Sequence, residues 1–112
     1  MDVQFNTNKL SKLCTNEYEC QKKYSDKIVF RKIYQRLLEL RAARSLKEMF
    51  LLPSARCHRL IGDRKGQFAV NLTGKLRMIF VSTTEPPPLD KSGGLDIARV
   101  DAVKIVEIVD YH

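Results

Sequence analysis

Residues 56–81, RCHRLIGDRKGQFAVNLTGKLRMIFV, constrain this chain more than any other stretch. Apolar and polar positions alternate there: Phe68, Val70 and Leu72 share one side of an extended segment, and Leu76, Met78 and Phe80 share one side of the next. Successive strand side chains point to opposite faces, so period two over adjoining segments predicts a half-buried antiparallel sheet. Gly62, Gly66 and Gly74 mark the turns. The reading is a meander of strands over 56–60, 67–72 and 75–81. Its second face carries Gln67, Ala69, Asn71, Ile79 and Arg77, and Arg77 is the odd member. A charge in mid-strand costs free energy unless it is paired or aimed at an anion.

The flanks supply the other layer. Residues 2–5 alternate as a short strand, and 6–8 offer N-caps for a helix through Leu10, Leu13 and Cys14. Residues 16–24 either continue that helix or form a turn of their own. The longest helix is predicted over 25–43, capped by Ser25 or Asp26, with Val29, Phe30, Ile33, Leu37 and Leu40 as its apolar stripe. Lys27, Arg31, Lys32, Arg36 and Arg41 are assigned to its outer face. Ser45 to Glu48 matches a capping box for one more short helix, ended by Pro53. Residues 82–94, with Pro86, Pro87, Pro88, Gly93 and Gly94, are expected to form an exposed, irregular loop. Residues 100–109, VDAVKIVEIV, are β-branched and nearly continuous in apolar character, as in an interior strand. Helices first and a meander after predict an α+β domain over 1–112, with helices on one face of a four- or five-stranded, mainly antiparallel sheet.

Charge narrows the partner. The formal net charge is +7, and the excess lies in the middle of the chain, about +4 over 25–55 and about +5 over 56–82. Such concentration suits a phosphate-rich partner. No apolar run approaches the roughly 20 residues of a membrane span, and residues 1–10 lack a signal-peptide core, so no membrane role is expected. Cys14, Cys20 and Cys57 follow no CxxC spacing and read as reduced thiols of a cytoplasmic protein, without disulfides or a metal site.

Only two histidines occur, His58 and His112. There is no Gly-rich phosphate loop, HExxH, GxSxG or spaced metal-ligand set, so no cofactor is expected. Histidine, tyrosine, aspartate and arginine on a basic sheet are the parts for metal-free RNA cleavage. A base takes the proton of a ribose 2′-OH, which attacks the neighbouring phosphate. An acid protonates the departing 5′-oxygen, and a cation offsets the charge between them.

The stretch HRLIGDRKGQFAVNLTGKLRMIF, followed by VEIVDYH, resembles the HigB branch of the RelE/ParE toxin superfamily. The similarity covers about residues 28–82 and 100–112. It implies a RelE/ParE-like fold and a ribosome-dependent endoribonuclease that cuts mRNA in the ribosomal A site. It further implies a type II antitoxin partner of HigA type, a helix-turn-helix protein through which alone operator DNA is contacted. The family's terminal Asp-Tyr-His and its arginine in the second-last strand correspond to Asp110, Tyr111, His112 and Arg77. His58 matches a histidine that only some members carry. Arg59, Arg64 and Lys65 are further RNA-binding candidates. Several relatives carry a lysine where this chain has Ile61; that phosphate contact falls to Arg59 or Lys65, or is missing. The loop over 82–94 is also longer than the turn usual in the branch. Two other classes stay open: a ParE-like toxin acting on a topoisomerase without cleavage, and a nucleic-acid-binding module. The Asp-Tyr-His terminus speaks against the first.

Overall fold

The computed structural model describes residues 1–110. Five strands form one sheet: β1 (Asp2–Phe5), β2 (His58–Arg59), β3 (Gln67–Asn71), β4 (Leu76–Ser82) and β5 (Ala102–Asp110). The spatial order is β1-β5-β4-β3-β2, antiparallel except where β1 runs parallel to β5. The expected α+β architecture is what forms. The last strand is interior, inserted between the first strand and the meander.

Four helices precede the meander: α1 (Asn8–Thr15), α2 (Glu17–Lys23), α3 (Lys27–Ala42) and α4 (Leu46–Phe50). Thr7 caps α1 by accepting from the Leu10 N–H at 3.1 Å, and Asp26 caps α3 through the Ile28 N–H at 3.0 Å. Asn16 settles the ambiguity over residues 16–24: its extended backbone ends α1, and its side chain accepts from the Glu19 N–H to start α2 as a separate helix. At α4 the expected capping box does not close, because the back-bond from Glu48 goes to the residue before the Ser45 cap. Glu48 accepts from the Arg44 N–H at 2.8 Å, while the Ser45 side chain makes no capping bond.

The core lies between α3 and one face of the sheet. Val29, Ile33, Leu37 and Leu40 are buried against it, and Phe68, Val70, Met78, Phe80, Val103 and Ile105 supply the sheet side. Phe68 and Phe80 sit opposite one another in the β3–β4 register, their rings stacked with centroids 5.7 Å apart. A bulge between the pairs Ile79↔Glu107 and Phe80↔Ile105 resets the alternation in β5, so that Ile105 and Ile108 both face the core.

Two expectations are corrected. The strand predicted over 56–60 is only His58–Arg59, because Arg56 has a left-handed backbone (φ 47°) that closes the 3-10 turn Pro53–Ala55. Arg36, assigned to the solvated face of α3, is 2% exposed. Its Nε donates to the Asn71 carbonyl at 2.6 Å, its Nη2 to the Ser54 carbonyl at 2.8 Å, and its Nη1 to Glu39 at 2.8 Å. One guanidinium therefore joins α3 to the end of β3 and to the turn before β2.

The connection between β4 and β5 is internally hydrogen-bonded. The Asp90 carboxylate accepts from the Ser92 N–H and hydroxyl and from the Gly94 N–H, at 2.7–3.0 Å. These bonds hold that carboxyl below the usual carboxylate range. Leu89 bridges Leu95, Pro88 is buried, and Arg99 donates to the Leu89 carbonyl at 2.7 Å.

Arg36→Met should lower the urea midpoint without changing the slope. Removing one partner of a buried, hydrogen-bonded charge typically costs about 3–5 kcal/mol. An unchanged midpoint would show that these bonds add nothing net. The buried thiols give a second expectation. Burial pushes Cys57 up to about 12, as it does Cys14. An unfolded thiol ionises near pH 8.5, so its contribution is fully present below that pH and is lost as pH rises toward 12. Wild type should therefore lose more stability than Cys57→Ala between pH 7 and pH 10; equal losses would refute the shift.

Candidate active site on the open face of the sheet

The face of the sheet away from the helices carries Gln67, Ala69 and Asn71 from β3 and Arg77, Ile79 and Val81 from β4. Arg77 lies there because Leu76 and Met78, its neighbours, face the core. His58 pairs with Ala69, which places it on the same face. Beside them opens a cleft of about 810 Å³ whose lining includes His58, Asn71 and four arginines, Arg56, Arg59, Arg64 and Arg77. Among the described residues Asp63 is the only carboxylate in that lining. Fixed cations around one concavity concentrate anionic ligands.

Each arginine is held differently. Arg77 Nη1 donates to the carbonyls of Gly74 and Leu76, both at 3.0 Å, which turns the guanidinium back over the β3–β4 connection. Among the described residues no carboxylate pairs with Arg77, and its Nε and Nη2 donate to none of them. The alternative partner for Arg77, Glu107, is instead paired with Arg64. Arg64 also donates to the Gln67 side chain at 3.0 Å. Gln67 is on β3 and Glu107 on β5, so Arg64 crosses β4 between them, where Ile79 is fully buried. Arg59 lies 5.7 Å from the Phe68 ring centroid and donates to the Leu95 carbonyl at 3.3 Å, which links the cleft to the long β4–β5 connection. The His58 Nδ1 lies 2.8 Å from the Arg56 carbonyl oxygen.

Of the residues singled out from the sequence, His58, Arg59, Arg64 and Arg77 meet at this cleft. Lys65 is exposed and outside the lining. Asp110 pairs with Leu76, whose side chain packs with the core, so Asp110 belongs to the helix side. There its charge adds to burial and to the Cys20 and Cys14 thiols in pushing the Tyr24 hydroxyl up. Tyr111 and His112 lie outside the described residues. Sequence reasoning missed Arg56 and Asn71. Asn71 follows from its pairing with Arg77 in the meander, whereas nothing in the sequence marks the left-handed backbone of Arg56.

A second hollow, about 610 Å³, opens on the helix side between α1, α2 and residues 106–108. Its lining among the described residues is of lysines, glutamates, aliphatic side chains and Thr7, with no histidine. Among the described residues no three His, Cys, Asp or Glu side chains converge on a metal position. No helix among them is long and apolar enough to cross a membrane.

No family model matches the chain, and no curated protein does. Among solved structures it is similar to a YoeB/ParE toxin from Agrobacterium tumefaciens, with a TM-score of 0.58 at 12% identity and 100% of both chains covered. At that identity the likeness is one of architecture: this chain has the fold of the YoeB/ParE toxin.

Proposed function

We propose that this chain is the toxin of a type II toxin–antitoxin pair, of HigB type, and that it cuts mRNA in the ribosomal A site. The observation that carries this reading is the cleft itself, where an exposed histidine and four arginines share one lining at the β2 edge of a toxin-like sheet. A phosphodiester fits such a lining by charge. Arg77 is the cation for the scissile phosphate, since a guanidinium offers a planar fork to two phosphate oxygens. His58 transfers a proton at the ribose 2′-OH or at the leaving 5′-oxygen. The resemblance assigns the remaining acid–base work to His112 and Asp110 and base stacking to Tyr111; Asp110 has no place in the cleft lining, so its role rests on the resemblance alone. A HigA-type antitoxin would hold the toxin inactive in the cytoplasm and carry the contact with operator DNA.

The decisive experiment maps mRNA 5′ ends after brief expression. New ends within codons, dependent on translation, are expected. Intact transcripts alongside arrested growth would replace this reading with a ParE-like toxin that acts on a topoisomerase. Arg77→Ala should lower cleavage by roughly 10²–10³, the usual cost of one lost transition-state charge contact, and leave the melting temperature unchanged. Lost stability with full cleavage per folded molecule would make Arg77 structural. Glu107→Gln tests the charge balance. It frees Arg64 at a cost under about 1 kcal/mol, as for other partly exposed pairs. If Arg64 then reaches one more phosphate, the salt dependence of single-stranded RNA binding should steepen by about 0.7 in log–log slope. An unchanged slope would remove Arg64 from the RNA path.

A further inference from the structure

Arg56 is the only non-glycine residue with positive φ among those described, at φ 47° and ψ 46°. This left-handed conformation crowds the Cβ of any residue that has one. Its placement is specific: Arg56 closes the 3-10 turn Pro53–Ala55, its N–H reaching the Pro53 carbonyl at 3.3 Å, and it stands two residues before His58. Its own carbonyl meets the His58 Nδ1 at 2.8 Å. A carbonyl oxygen only accepts, so Nδ1 carries the hydrogen in that bond. In the neutral ring the lone pair is then on Nε2. Moving ψ from 46° to an extended value of about 135° would swing the Arg56 carbonyl by about a quarter turn, away from the ring.

We infer that the left-handed backbone of Arg56 fixes the tautomer of His58, so that Nε2 serves as the proton acceptor at the cleft. Arg56 is thus a positioning residue that acts through His58. Its catalytic consequence rests on the nuclease reading above, while the tautomer does not. His58 is exposed, with no other hydrogen-bond partner among the described residues, so this one bond selects between two otherwise similar tautomers. The guanidinium of Arg56 also lines the cleft, and a test must separate side chain from backbone.

Arg56→Gly and Arg56→Ile do so. Both remove the guanidinium, but glycine accepts a positive φ freely whereas a β-branched residue resists it. Nitrogen-15 spectra of the His58 ring, assigned against His58→Gln and recorded at alkaline pH so that the ring is neutral, report the tautomer directly. We expect the Nδ1–H form in wild type and Arg56→Gly, and a mixture in Arg56→Ile. Cleavage by Arg56→Ile should fall roughly two- to fivefold below that of Arg56→Gly, since a mixture keeps part of the ring in the active tautomer, well short of the roughly 10²–10⁴ that a positioned acid–base group supplies. If Arg56→Ile fails to fold, Arg56→Ala against Arg56→Gly answers the same question. An Nε2–H tautomer in wild type overturns the inference, as does an unaltered tautomer in the isoleucine or alanine variant. A fixed Nδ1–H ring in a wild-type protein that cuts no mRNA overturns the nuclease reading and upholds the positioning.

Discussion

Val29, Ile33, Leu37 and Leu40 pack onto one face of the sheet, and from that burial most of the molecule follows. A helix stripe and an alternating sheet face must each find an apolar partner, and here they find one another. The Phe68–Phe80 stack marks the centre of the contact and ties the β3–β4 register to it, since a slip of either strand by one residue would turn its ring outward and break the stack. Arg36 then secures the margin of the same layer. Buried beside the stripe, it supplies donors to the Asn71 and Ser54 carbonyls.

With its helices on one side only, the sheet must make the other side compatible with water. Arg64 does part of this, crossing from Gln67 to Glu107 over the buried Ile79. The carboxylate of Glu107 is thereby engaged, and Arg77 is left without an acidic partner among the described residues. Positive charge at the cleft thus arises from how the pairs are allotted as much as from the number of basic residues.

The meander was legible because a strand's period is short and local. Leu76 and Met78 alone place Arg77 on the open face. The long helix was equally legible, yet Arg36 was misplaced by its chemistry: it falls three residues after Ile33 and four before Leu40, within the buried stripe. The carbonyls that make its burial favourable are remote in sequence and could not be seen. The same holds for Arg64 with Glu107, and for the bulge that sends Asp110 to the helix side. The left-handed turn at Arg56 carries no glycine or asparagine to announce it. Period and composition show what one element wants; they do not show which distant group will satisfy a charge.

The parallel pairing of Asp2–Phe5 with Ala102–Ile105 has a kinetic side. The first strand emerges some 100 residues before its partner, a wait of roughly 5–20 s at a synthesis rate of about 5–20 residues per second. By the end of that interval β4 has also been made, and β1 and β4 each still lack the neighbour that β5 will supply. His58, Arg59, Arg64 and Arg77 have already been made, but Glu107 has not. Before β5 is made the chain therefore carries more net positive charge than it does once Glu107 and Asp110 have been added. β5 then supplies the missing neighbour to β1 on one side and to β4 on the other.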